Sequence, residues 1–315
     1  MAATTCFKES RAMSIQSFRE LAAAVQAQEK KSRVAVVAAD DAPTLEAVIK
    51  AQESGLIEAF LIGRRAMVEE GLARQGVDPT DFQIVEADSV EACLARAVEL
   101  IGSNAADLLM KGHLETADFM RAVLDRKNDL RKSPLLSVAG LYEMNSYHKL
   151  IAVSDQAINT YPDLDAKRAI LENAVGLLHA CGFDRPRVAV LAAIEKVNPK
   201  MRETVDADAL KAMNREGVIA GCVVDGPLSL DIATDRKAAQ IKGYVSEVAG
   251  DADCLIVPDL VCGNVFVKAL TGFAGAMTAG IVVGAKVPIV LTPRSAEASD
   301  KFYSIALAAY SARQR

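Results

Sequence analysis

Several short segments place charged side chains where a buried apolar run gives way to a turn. In Leu108-Leu109-Met110-Lys111-Gly112-His113 the run ends at Lys111, Gly112 permits a tight turn, and a helix is expected from about Thr116. In open α/β sheets ligands collect at the carboxyl ends of strands, and the free N–H groups of the following helix favour an anion. Lys111 and Arg121 add fixed positive charge there, although Arg121 lies more than a turn into the helix and must reach back. His113 is one of three histidines, with His148 and His179, and only its strand-end position marks it out. The plainer alternative is a strand-end lysine and a solvated arginine.

Three later segments follow the same rule. In Gly221-Cys222-Val223-Val224-Asp225-Gly226-Pro227 a strand is expected to deliver Asp225 at its end, where Gly226-Pro227 turns the chain. In Pro258-Asp259-Leu260-Val261-Cys262-Gly263-Asn264 a helix is expected to open at Gly263, which lets a ligand approach the backbone, with Asn264 as its cap. Residues 243–292 hold only six charged side chains, so this wall suits a polyanion with an apolar tail. In Leu291-Thr292-Pro293-Arg294-Ser295 a last strand turns into the final helix. Ser295 fits its N-cap, and Arg294 stands six residues before Asp300. Glu297 is an alternative partner for Arg294.

Other chemistries lack their motifs. No GxGxxG follows a strand, since Gly272-Phe273-Ala274-Gly275 has the wrong spacing, and no Walker A loop, GxSxG elbow or HExxH occurs. Nicotinamide, ATP and zinc therefore gain no support. The six cysteines, at 6, 93, 181, 222, 254 and 262, contain no C-x-x-C pair and read as reduced thiols of a cytoplasmic protein.

The elements that must position these residues alternate along 315 residues. Strands are expected at 34–39, 57–62, 82–86, 107–111, 135–139, 150–154, 187–193, 219–225, 253–257 and 287–291, each short and apolar throughout, as in strands buried on both faces. Amphipathic helices are expected at 43–54, 90–101, 163–181 and 297–313. The pattern is that of βαβ units. Between 135–139 and 150–154 the helix is missing, which suggests a hinge into a second α/β domain. The last strand and helix then return to the first. The expected domains are 1–142 with 286–315, and 143–285.

Composition agrees. The chain is 51% hydrophobic and 24% charged, as an ordered globular protein is. A net charge of −5 without a basic stripe argues against nucleic acid. No apolar run spans a membrane, because 273–292 is interrupted by Lys286 and Pro288, and the N-terminus shows no secretory signal.

Six segments in order resemble the phosphate acetyltransferase/phosphate butyryltransferase family, the butyryltransferases more closely. They are LLMKGHLETADFMRAVL (108–124), AVSDQAINTYPDL (152–164), EKVNPKM (195–201), GCVVDGPLSLDIA (221–233), PDLVCGNVFVKAL (258–270) and VPIVLTPRSAEASD (287–300). The resemblance implies two α/β domains with a cleft between them, similar to the isocitrate/isopropylmalate dehydrogenase architecture, in a homodimer or larger assembly. It implies reversible transfer of a short acyl group between coenzyme A and inorganic phosphate, through an acyl phosphate, with coenzyme A as substrate, no tightly bound cofactor and no metal. By resemblance Asp300 takes the proton of the coenzyme A thiol, Arg294 binds phosphate and steadies developing charge, and Arg121 with Thr116 forms the phosphate-side motif. Many relatives carry Ser immediately before the arginine, where this chain has Pro293; Ser295 lies on the other side.

Two other readings compete. A metal- and NAD-dependent 2-hydroxyacid dehydrogenase of the same fold class needs clustered carboxylates. Asp225, Asp251, Asp253 and Asp259 are available, but Asp251 and Asp253 precede a strand and point away. A non-catalytic two-domain binding protein needs only the cleft.

Overall fold

The computed structural model describes residues 14–292 and 296–313. The strands are β1 (Ser32–Val37), β2 (Ile57–Gly63), β3 (Gln83–Glu86), β4 (Leu108–Lys111), β5 (Ser137–Glu143), β6 (Ile151–Ser154), β7 (Arg187–Leu191), β8 (Val223–Leu228), β9 (Cys254–Ile256), β10 (Met277–Val283) and β11 (Ile289–Val290). The α-helices are α1 (Phe18–Gln26), α2 (Ala42–Glu53), α3 (Arg65–Arg74), α4 (Val90–Gly102), α5 (Thr116–Leu124), α6 (Leu164–Ala180), α7 (Arg202–Arg215), α8 (Leu230–Thr234), α9 (Arg236–Ile241), α10 (Leu260–Ala274) and α11 (Ala298–Ala312).

All the strands join one mixed sheet in the order β3-β2-β1-β4-β11-β10-β5-β6-β9-β7-β8. Strands β3, β2, β1, β4 and β11 are parallel, and so are β6, β9, β7 and β8. Between these blocks β10 and β5 pair antiparallel with each other and with their outer neighbours, so the two blocks run in opposite directions. Successive side chains of a strand serve opposite layers. Val34 and Val36 enter the core shared with α2 and α11, whereas Ala35 and Val37 enter a second core with α4 and α5. Burial on both faces is why these strands read as unbroken apolar runs.

Four sequence expectations shift. The missing helix after residue 139 is real, but β5 extends to Glu143 and pairs with β6, so the sheet continues across the expected hinge. The strand expected at 219–225 is β8, displaced toward the C-terminus, because Gly221 turns at φ +74° before it. It then continues through Gly226-Pro227, since β8 is the last strand of the sheet and an edge tolerates a residue without an N–H. Asp225 is therefore inside a strand and not at its end. Strand β10 was not anticipated; it begins after Gly275, which closes α10 at φ +60°.

Helix α11 packs on β10, α2 and α1, and β11 pairs with β4, so the C-terminal segment closes the first parallel block.

Candidate active site

The carboxyl ends of β1, β4 and β11 meet beside the N-termini of α2 and α11. Gly112 makes that meeting possible. Its N–H donates to the Val37 carbonyl at 2.9 Å, and the His113 N–H donates to the Ala38 carbonyl at 2.8 Å. A Cβ on Gly112 would press into both of those carbonyl oxygens, within 2.6 Å of that of Val37, so no other residue fits without moving the loop. The Lys111 ammonium is buried and donates to the carbonyls of Gly112 (3.1 Å) and Leu114 (3.0 Å), which folds the loop around a fixed cation. His113 is exposed, with Nδ1 3.2 Å from the Asp40 carboxylate.

These residues line a cavity of about 200 Å³, together with Asp41, Pro43, Thr44, Thr292 and Lys301. Asp41 caps α2 through the N–H of Thr44 and accepts the Thr44 hydroxyl at 2.8 Å. Lys301 was not anticipated. It is only 5% exposed, and among the described residues its ammonium makes no hydrogen bond or ion pair. The signal was in the sequence: Lys301 shares a helical face with Ser304, Ile305 and Ala308, all buried.

Asp300 precedes Lys301 in the first turn of α11. Its carboxylate Oδ1 accepts the Thr278 N–H at 3.4 Å, and the Ser304 hydroxyl accepts the Gly280 N–H at 3.0 Å. The strand explains this. The N–H groups of Thr278, Gly280 and Val282 point the same way by the period-two rule, away from β5, but β11 is so short that only Val282 pairs with it. The other two N–H groups must find acceptors, and α11 supplies them. Burial pushes the Asp300 carboxyl above its ordinary value; the Thr278 N–H opposes the shift and Glu297 adds to it.

The remaining predicted residues are more dispersed. Thr116 opens α5, as expected, and is exposed. Arg121 is exposed and paired with Asp118 at 2.7 Å one turn back. Asp225 is buried, ion-paired with Lys211 at 2.5 Å and 3.3 Å from the Tyr244 hydroxyl. Gly263 and Asn264 lie inside α10, which opens earlier than expected because Asp259 caps it, accepting the Cys262 N–H at 2.8 Å. Asn264 is thus not the cap; its amide donates to the Gln156 carbonyl at 3.4 Å. Gly263 allows the helix to press on the Asp155–Gln156 backbone, where a Cβ would sit 3.0 Å from the Asp155 oxygen. Neither residue lines the Lys111 cavity. Pro293, Arg294 and Ser295 lie outside the described residues, as does Cys6. Glu297 holds the cap position of α11, without a side-chain cap bond.

The aspartates weighed for a metal are committed elsewhere. Asp251 and Asp253 bind Lys149 and Arg187, Asp225 binds Lys211, and Asp259 caps α10. No helix among the described residues is long and apolar enough to cross a membrane.

Residues 88–309 match the family model described as phosphate acetyl/butaryl transferase. The phosphate butyryltransferase of Clostridium acetobutylicum is 42% identical over 295 residues, covering 94% of this chain and 98% of that protein. The phosphate acetyltransferase of Rhizobium meliloti is 41% identical over 256 residues, 81% of each chain. Among solved structures, a branched-chain phosphotransacylase from Enterococcus faecalis V583 superposes with a TM-score of 0.79 at 29% identity, over 89% of this chain and 99% of that one.

Proposed function

From the premise that this chain belongs to the phosphate acetyl/butaryl transferase family and is a phosphate acyltransferase, we propose that it moves a butyryl or similar short acyl group reversibly between coenzyme A and inorganic phosphate. Acyl-CoA and phosphate give acyl phosphate and coenzyme A. The observation that carries the site assignment is the half-buried Asp300 carboxylate in the first turn of α11, whose next residue, Lys301, lines a cavity with a second buried lysine, Lys111.

In the direction that consumes acyl phosphate, Asp300 takes the proton of the coenzyme A thiol, whose ordinary pKa is about 8.5. The thiolate attacks the acyl carbonyl carbon, the C–O bond to phosphate breaks, and phosphate leaves. In the other direction a phosphate oxygen attacks the thioester, the C–S bond breaks, and protonated Asp300 returns its proton to the departing thiolate. A carboxyl raised by burial is a better match to a thiol than an ordinary one, and a positioned base contributes about 10²–10⁴-fold. Arg294 binds phosphate and steadies the tetrahedral oxyanion in this reading. No acyl-enzyme is required.

Lys111, Gly112, His113, Thr116, Arg121 and Ser295 are the substrate contacts on the first parallel block, and Asp225, Gly263 and Asn264 those on the second. The reading keeps the isocitrate/isopropylmalate dehydrogenase-like division, with 1–142 and 286–315 facing 143–285 across a cleft. The reversal of strand direction at β10, β5 and β6 supports that division. A homodimer or larger assembly is supported by α10, whose apolar Val261, Val265 and Phe273 are exposed, Phe273 to 95%. We place the enzyme in the cytoplasm; the thiols of Cys93, Cys181, Cys222, Cys254 and Cys262 are all free. The acyl phosphate product tests the reaction. Hydroxylamine added to purified protein with butyryl-CoA and phosphate should trap butyryl hydroxamate faster than the direct reaction of the thioester seen without phosphate or without protein, and the lack of that phosphate-dependent excess would reject the proposal.

A further inference from the structure

We propose that Lys301 binds the inorganic phosphate, or the phosphoryl group of the acyl phosphate, inside the cavity at the ends of β4 and β11, an assignment that rests on the acyltransfer reading above. An ammonium group at the end of a buried side chain, with no acceptor of its own, is an open place for an anion. Lys301 is nine-tenths buried, lines the cavity, and has no such partner among the described residues. Lys111 lines the same cavity and brings a second positive charge. The carboxylate that lines it, Asp41, is turned to the N–H and hydroxyl of Thr44. Among the described lining residues the surplus is therefore positive, and the volume of about 200 Å³ accommodates a phosphate with water. The order of residues adds a reason. Asp300 and Lys301 are consecutive in the first turn and a half of α11, so the group that handles the thiol and the group that holds phosphate are set by one rigid element. Proximity of two bound reactants is itself a large part of such catalysis.

The test uses Lys301→Met, which keeps the apolar stem and removes the charge, and Lys301→Arg, which keeps the charge. Michaelis constants are measured for phosphate and for butyryl-CoA, and thermal midpoints with and without phosphate, because a ligand raises stability by mass action whether or not turnover occurs. For Lys301→Met the expected result is a KM for phosphate at least about tenfold higher, as for loss of one charge-assisted hydrogen bond. The KM for butyryl-CoA should stay within about twofold. The phosphate-induced rise in Tm should be lost, and Lys301→Arg should recover part of both effects. An unchanged phosphate KM and Tm response would overturn the assignment. So would a rise confined to the butyryl-CoA constant, which would give the cavity to a phosphate of coenzyme A. If wild-type protein showed no turnover yet lost its phosphate response on Lys301→Met, the acyltransfer reading would fail and the anion site would stand. Should the variants not fold, a wild-type crystal grown with phosphate decides: an anion within hydrogen-bond distance of Lys301 Nζ supports the proposal, and phosphate bound elsewhere contradicts it.

Discussion

The backbone N–H of Thr278 donates to Oδ1 of Asp300 at 3.4 Å, tying the first turn of α11 to the start of β10. The bond exists because β11 is too short to pair with that end of β10, whose other edge is already taken by β5. It fixes a carboxylate in a half-buried position that solvation alone would not choose.

Asp300→Asn keeps the shape of the side chain and its acceptor oxygen but removes the base. Turnover in the direction that consumes acyl phosphate should fall by about 10²–10⁴-fold, with little change in the KM for coenzyme A. The wild-type rate in that direction should decline toward acid with a midpoint above the ordinary aspartate value, because burial raises this carboxyl. Undiminished turnover in the variant would move the proton to another group.

The same substitution should stabilise the protein at neutral pH. A carboxyl whose folded pKa is raised binds protons more tightly folded than unfolded. The cost of burying its charge is fully present above the folded pKa and disappears below the unfolded one. Asp300→Asn should therefore melt higher than wild type near pH 7, and the gap should close as pH falls through that window. A variant that melts lower at neutral pH would contradict the assigned cause of the shift.

Arg294→Ala should lower kcat/KM for phosphate by about 10²–10³-fold, the usual effect of losing one group that steadies an oxyanion. The far-ultraviolet circular dichroism should be unchanged. Kinetics close to wild type would remove Arg294 from the site and leave the cavity lysines as its cations.

Away from the site, Lys149 is buried between Asp251 and Asp253 at the starts of β6 and β9. Burial alone would raise the Asp251 carboxyl, but Lys149, Arg236 and His148 outweigh it and hold it well below the usual range. Lys149→Met leaves buried carboxylates short of a partner and should cost about 3–5 kcal/mol in denaturant unfolding, with kcat of the folded protein unaltered. A loss under about 1 kcal/mol would mean that Arg187 and Arg236 suffice.

Most of the fold was legible because its strands are buried on both faces and interrupted by capped helices. Asp41 before α2 and Asp163 before α6 cap as their residue types suggest. The errors have local causes. Residues 273–285 form one apolar stretch in which only Gly275-Ala276, with Gly275 in the left-handed region, separates α10 from β10. Asn264 looked like a cap, but Asp259 stands earlier and closer to the strand. Asp225 was expected at a strand end because Gly226-Pro227 is ordinarily a turn, and only the edge position of β8 lets the strand run through it. Lys301 was hidden by its apolar neighbours, since periodicity identifies a buried face without saying which polar residue on it meets a cavity.

The initial rate of free-thiol release from butyryl-CoA, measured with and without inorganic phosphate, tests the central claim most directly. The account predicts release that depends on phosphate, saturates with it, and reverses when butyryl phosphate and coenzyme A are supplied. Release that ignores phosphate, or none with acyl chains of two to six carbons, would contradict it.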